Sequence, residues 1–185
     1  MEKLNFTKEQ KQILDMQILY PQKGVCYIGG SLKEKLTSSP IIFMTAIKYA
    51  LEDSLIFHIQ ITKDNTPYLA KTEIELSEWK NKEEPSEEQV QKWMGETRPF
   101  YNAPLYELHY WTDGEYIIFY LKTHHIILDG YSFTLILKKY KRYCRELISD
   151  KYPARQVDDS YISLMKKVDI NLSLIHISEP TRLAL

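Results

Sequence analysis

Six large apolar residues stand in a row at Tyr116-Ile117-Ile118-Phe119-Tyr120-Leu121, just after an Asp113-Gly114 pair. An Asp-Gly step between apolar segments is a strong hairpin signal, because Gly takes the positive φ that a tight turn needs. The segment before it, Leu105 to Trp111, alternates, with Tyr106, Leu108 and Tyr110 opposite Glu107 and His109. The segment after it, Glu115 to Thr123, has no such alternation in its apolar run, so both of its faces are expected to be covered. A strand covered twice needs a layer on each side, and the rest of the chain has to supply helices for those layers.

The helices are present in outline. Thr7-Lys8-Glu9-Gln10 is a capping-box pattern. Ile13, Leu14 and Ile18 predict the buried face of a first helix, which Tyr20-Pro21 ends. Val25-Cys26-Tyr27-Ile28 predicts a short strand closed by Gly29-Gly30. Ser39-Pro40 opens a second helix, with Ser as cap and Phe43, Ile47, Ala50 and Leu51 as its buried stripe. Leu55 to Ile61 predicts a strand with Leu55, Phe57, Ile59 and Ile61 on one face. Lys63-Asp64-Asn65-Thr66 turns it into a returning segment, Tyr68 to Leu76. Ser86 with Gln89 repeats the capping box and opens a helix through Val90, Trp93 and Met94, ended by Arg98-Pro99-Phe100. Asp129 caps the last helix, whose buried face is Phe133, Ile136, Leu137, Tyr140, Cys144, Leu147 and Ile148. Lys138, Lys139, Lys141, Arg142 and Arg145 lie off that face and are expected to be solvated, or to meet an acidic partner. The order α-β-α-β-β-α-β-β-α predicts an α/β fold, a layered sheet with helices.

Composition narrows the function classes. A net charge of −1 argues against a general nucleic-acid binder. No apolar run approaches the roughly 20 residues of a membrane-spanning helix. The N-terminal residues Met1 to Phe6 lack the apolar stretch of a secretory signal. Two cysteines, Cys26 and Cys144, form no CxxC pair, so a cytoplasmic location is expected.

The chemistry concentrates in His124-His125-Ile126-Ile127-Leu128-Asp129-Gly130, between the apolar strand and the last helix. Histidine exchanges protons near neutrality. An Asp at a helix start can cap free amides. Glycine lets the backbone approach a reacting atom or take positive φ. Adjacent histidines seldom face one ion and no further ligand cluster accompanies them, so no metal site is expected. His58 and His109 fall on polar alternations and are expected to be solvated.

His124-His125-x-x-x-Asp129-Gly130 matches the HHxxxDG motif, and the chain resembles the condensation domains of nonribosomal peptide synthetases, in the chloramphenicol-acetyltransferase-like superfamily. Further likenesses follow in order: Glu9-Gln10-Lys11-Gln12-Ile13 to the family's opening AQxR-type segment, Tyr20-Pro21, Ile28-Gly29-Gly30, and Arg98-Pro99-Phe100 with Pro104-Leu105 to its RPFxxxxxPL segment. The resemblance covers residues 4–170 and implies a single N-terminal lobe of a two-lobed fold. It implies amide bond formation between a carrier-bound aminoacyl or peptidyl thioester donor and an aminoacyl acceptor. By the resemblance, His125 is general base or positions the amine, and Gly130 is an oxyanion donor. His124 and Asp129 are structural members of the motif. No cofactor is bound directly; phosphopantetheine sits on the partner carrier domains. The implied partners are donor and acceptor peptidyl carrier domains, adjacent synthetase domains and a C-terminal lobe, with neither nucleic acid nor membrane.

Two departures stand out. The family's Arg that pairs with the motif Asp falls at Ile56 here, so Asp129 is expected to pair elsewhere, with Arg98 or a backbone amide. The opening segment carries Gln12 in place of its usual Arg. Two other roles stay open: a stand-alone acyltransferase or epimerising relative, and a non-catalytic domain that docks carrier proteins. Residues 172–185 include Leu172 to Arg182, which resembles the translation of a transposase sequencing adapter. That stretch is expected to be non-native, the natural protein continuing past about Asn171. The 185 residues alone are expected to be inactive, because the second lobe would complete the site.

Overall fold

A computed structural model of the protein describes residues 4–22, 24–79 and 83–168. The stretch 172–185 lies outside the described residues. Strand β6 (Tyr116–His124) runs between β1 (Tyr27–Lys35) and β5 (Tyr106–Thr112), antiparallel to both. A two-residue strand, β4 (Ser77–Glu78), adds to β5 in parallel and completes a four-stranded sheet. Every residue of β6 after Tyr116 is buried, as its continuous apolar run predicts.

The two faces of β6 meet different layers. Ile117, Phe119 and Leu121 enter the main core with α2 (Pro40–Glu52) and α4 (Gly130–Ile148). That core includes Phe43, Ile47, Ala50 and Leu51 of α2, together with Ile136, Tyr140 and Tyr143 of α4. Ile118 and Tyr120 point the other way, where Trp111, Trp79 and α3 (Glu87–Gly95) cover them through Val90 and Trp93. The fold is α/β, a layered sheet with helices, as expected. No described helix is long and apolar enough to cross a membrane.

Glycine explains the first departure from the expected elements. Gly29-Gly30 does not close β1; the strand runs through both and on to Lys35, after a 3-10 turn at Gly24–Cys26. A Cβ on Gly29 would lie 2.4 Å from the Leu121 carbonyl oxygen and 2.9 Å from Met94 Sδ. The residue is small because β6 and α3 press on it from two sides, and the pairing needs no turn there.

Leu55 to Ile61 is not one strand. Leu55–His58 forms a 3-10 turn and only β2 (Ile59–Ile61) is extended, paired with β3 (Pro67–Leu69). The backbone groups of this stretch are drawn into local bonds: Phe57 N–H donates to Ser54 O, and Leu55 N–H donates to Asp158 O. Neither His58 nor Lys139 is fully solvated. His58 Nε2 lies 3.1 Å from Glu52 O, and Lys139 Nζ donates to Asp53 O and Ser54 Oγ. Ser39 stands at the N-cap of α2 without a side-chain cap bond, whereas Thr7 and Ser86 both close their capping boxes.

The first helix, α1 (Lys8–Leu19), buries Gln10, Leu14 and Gln17. That corrects the expected face of Ile13, Leu14 and Ile18, since Ile18 is exposed. The glutamines are inside because they bond the last residue of β6 and the turn after it. Lys122 is also wholly buried, and its Nζ donates to Trp93 O and Glu96 O, each at 2.6 Å. These carbonyls belong to the last turn and C-cap of α3, where a cation is favoured by the helix dipole. The ammonium also lies 5.1 Å from the Tyr27 ring centroid.

A buried carboxylate closes the far end. Asp53, at the C-cap of α2, is 2% exposed. It accepts bonds from Arg155 Nε and Nη2 and from Tyr143 Oη. Burial pushes its pKa up, but those bonds and the Arg155 charge outweigh it and leave the carboxyl below its usual range. The clasp holds the segment leading to α5 (Ser160–Lys167), whose Ile162 and Met165 enter the core.

Two substitutions test these placements by urea unfolding. Gly29→Ala has no room for its methyl and should cost on the order of 1–3 kcal/mol. A neutral outcome would mean that β1 and β6 lie further apart. Arg155→Met leaves Asp53 buried without its cation and should cost about 3–5 kcal/mol. A change under about 1 kcal/mol is what an exposed pair gives, and would show that the clasp is solvated.

Candidate active site

The site is built where β6 leaves the sheet. The strand is held to its end on both sides: His124 N–H donates to Leu105 O at 2.8 Å and His125 N–H to Cys26 O at 2.7 Å. The chain then turns, with Ile127 N–H donating back to His124 O. His124 lies inside the turn and is wholly buried, with Tyr27 and Phe100 packed on its ring. His125 faces out.

The hydrogen bonds assign the ring protons. His124 Nδ1 accepts from Ile126 N–H at 3.2 Å, so the proton of the neutral ring sits on Nε2, 3.1 Å from Gln17 Oε1. Burial, and after it the neighbouring His125, push the pKa of His124 down from 6.5 to about 4. His125 has the opposite arrangement. Its Nδ1 lies 2.7 Å from Leu128 O, a carbonyl that can only accept, so Nδ1 carries the proton. Its Nε2 is then a free lone pair in the neutral ring.

Asp129 stands at the N-cap of α4, and its Oδ1 accepts from Ser132 N–H at 2.7 Å. The Ser132 bonds hold its pKa low, with a smaller contribution from His125. Of the two expected partners it takes the backbone amide. Arg98 pairs instead with Glu107. Ile56 lines a cleft of about 290 Å³ with Asp129, Leu128 and Leu135, whose wall also includes Ser54, Asp158 and Ser160.

Gly130 begins α4, in the turn whose N–H groups have no helical carbonyl to bond. It takes no positive φ, and a Cβ placed on it would meet nothing within 4 Å. His125, Gly130, Asp129 and Leu128 share an open cleft of about 320 Å³ with Ile28, Gly29 and Phe133. The four motif residues thus separate. His125 and Gly130 meet at the cleft, His124 is beneath the loop, and Asp129 caps the helix behind it. The arrangement can take a proton at His125 Nε2 and offers N–H donors at the start of α4. Among the described residues no group of three or more His, Cys, Asp and Glu could hold a metal.

Sequence reasoning missed the supports. Gln10 Nε2 donates to Ile126 O at 2.8 Å, so α1 reaches the loop twice, through Gln10 and Gln17. The signal was available as two glutamines seven residues apart, which lie on one helix face. It missed a second cluster as well. Glu107 accepts from the Trp93 indole and pairs with Arg98 and His109, beside a cleft of about 450 Å³. Burial raises the Glu107 pKa, but the bonds from His109 and Arg98, the Arg98 charge and the Trp93 bond outweigh it and hold it at about 2. His109 is half-buried between Trp79 and Trp93 rather than solvated.

No protein-family model matches the sequence, and no curated protein matches it significantly. Solved structures do. The starter condensation domain of the rhizomide synthetase RzmA is 18% identical, with a TM-score of 0.74 over 90% of this chain and 43% of that one. VibH, a nonribosomal peptide synthetase condensation enzyme, is 16% identical, with a TM-score of 0.71 over 80% of this chain and 37% of that one. The first condensation domain of the CDA synthetase is 18% identical, with a TM-score of 0.65 over 83% of this chain and 43% of that one. The chain therefore has the fold of one part of these domains and spans less than half their length.

The buried His124 predicts a pH dependence. Its pKa falls from 6.5 unfolded to about 4 folded, so its contribution to stability is complete above pH 6.5 and is lost as pH falls toward 4. Unfolding free energies measured across that window should drop with a slope approaching one proton. His124→Gln should flatten the slope, and an unchanged slope would assign it to other groups.

Proposed function

We propose that this chain is the N-terminal lobe of a condensation domain that forms an amide bond between two carrier-bound substrates. The observation that carries it is the His125 Nδ1 contact to Leu128 O at 2.7 Å, which leaves Nε2 as an unprotonated base in the cleft shared with Gly130. The acceptor's amine attacks the carbonyl carbon of the donor thioester. As the C–N bond forms, the amine's proton passes to His125 Nε2, within hydrogen-bond reach of about 3 Å. The carbonyl oxygen becomes an oxyanion, and the Gly130 N–H is the donor we assign to it. Collapse of the tetrahedral intermediate breaks the C–S bond, and the imidazolium returns its proton to the leaving thiolate. His125 then ends neutral, as it began.

The substrates arrive on phosphopantetheine arms of donor and acceptor carrier domains, within a cytosolic assembly line, and a second lobe completes the cleft. Asp129 acts through the loop, as the cap of α4. Asp129 is exposed and accepts from the Ser132 N–H, so Ile56 leaves no buried charge unpaired, which supports the catalytic reading over docking alone. An acyltransferase with another acceptor would use the same base, so the acceptor's chemistry separates the two.

The test uses the complete two-lobed domain with donor and acceptor carriers loaded. His125→Ala should reduce amide formation about 10²–10⁴-fold while carrier binding is unchanged. Unchanged condensation would favour docking, and product only with hydroxyl acceptors would favour the acyltransferase. Residues 1–185 without the second lobe should give no turnover above the His125→Ala background.

A further inference from the structure

Two glutamines are buried in α1, where the apolar pattern places isoleucines. Gln10 is 2% exposed and Gln17 is 6% exposed. A buried glutamine is costly unless its amide is bonded, and both find partners in the same four-residue turn. Gln10 Nε2 donates to Ile126 O; the N–H of that residue donates to His124 Nδ1; and Gln17 Oε1 lies 3.1 Å from His124 Nε2. Residue 126 is therefore gripped at both its backbone polar groups, one by α1 directly and one by a ring that α1 holds in turn. His125 lies between the two anchored residues.

We infer that Gln17 is a positioning residue: by accepting the Nε2 proton of His124 it fixes that ring's tautomer and, through the turn, the orientation in which His125 donates to Leu128 O. The inference rests on the proposed role of His125 as base. Without the acceptor, the Nε2–H of His124 is buried unbonded, and the ring gains by turning or by exchanging its proton to Nδ1. Either change releases Ile126 N–H, which then has no acceptor inside the turn. The turn loosens, and the three-residue bridge from His125 Nδ1 to Leu128 O loosens with it. The titratable groups around His124 are few. Tyr27 meets it edge-on and His125 adjoins it in the chain, while Phe100 and Gln17 complete the wall.

The test reads the rings by nitrogen NMR on the 185-residue chain labelled at histidine, and needs no catalysis. In the unaltered protein His124 should show the Nε2–H tautomer, uncharged down to about pH 5, and His125 the Nδ1–H tautomer. Gln17→Met fills the same space without an acceptor. It should mix the tautomers of both rings while the backbone amide spectrum away from the turn is unchanged. Gln17→Glu restores an acceptor. It should return His125 to the Nδ1–H form and raise the titration midpoint of His124, since a carboxylate now faces the ring. A Gln17→Met protein whose His125 keeps its tautomer overturns the coupling. A Gln17→Glu protein whose His124 midpoint does not move overturns the contact itself, even if Gln17→Met fails to fold. Activity of the His125→Ala domain bears on the base and leaves this result standing, so the two failures are distinguishable.

Discussion

Strand β6 runs between two antiparallel neighbours with a layer on each face, so the polar groups it buries have no water to turn to. A buried donor or acceptor left unbonded costs about 1–3 kcal/mol, which makes each one dictate what lies across from it. Lys122 is met by the last carbonyls of α3, and that helix is pinned across the outer face. His124 is met by Gln17, and α1 is pinned behind the loop. The Leu121 carbonyl leaves room only for glycine at position 29, and β1 is drawn in close. Three surrounding elements are placed by what one strand carries, and apolar area alone would not select among their possible positions.

The same strand separates the roles of the two histidines. Successive residues of an extended chain point to opposite sides. His124 ends β6 with its side chain buried, and the next residue, His125, points to the side where the cleft is open. One imidazole becomes a neutral, buried strut and the other lines an open cleft, although the two are the same side chain one residue apart. Asp129 shows a similar economy. A carboxylate at a helix start is stabilised by the first-turn amides and the dipole, so it does not need a guanidinium, and Ile56 can stand nearby without leaving a charge unpaired.

Much of this was legible in the sequence. The Asp113-Gly114 turn, the doubly covered strand, the two capping boxes and the capped helix after Asp129 all follow from local patterns, and each appears. The misses share a cause. The buried face of α1 carries Gln10 and Gln17, and a rule that ranks burial by apolarity turns that helix the wrong way. The run of β1 through Gly29-Gly30 is invisible without knowing that a carbonyl of β6 presses on it. The turn at Leu55–His58 looks like a strand because its apolar residues alternate, yet its amides bond Ser54 O and Asp158 O. The clasp of Asp53 and Arg155 joins residues 102 apart in the chain, beyond the reach of any periodicity. Sequence pattern shows which groups are apolar. It does not show which polar groups will find each other.

On the proposed function, what this chain would supply to catalysis can be separated from what it leaves open. Orientation is worth several powers of ten in such reactions, and it is already present: a ring with an assigned tautomer, held on a turn braced from behind at two points. Exclusion of water is different. His125 and Gly130 are exposed, and the cleft they share is open past Ile28, Gly29 and Phe133. In that setting a developing oxyanion is solvated nearly as well by water as by a backbone N–H, so the N–H group contributes little until something covers it. On the proposed function, the base is therefore prepared by this chain, whereas the strength of the oxyanion donor would depend on what covers the cleft.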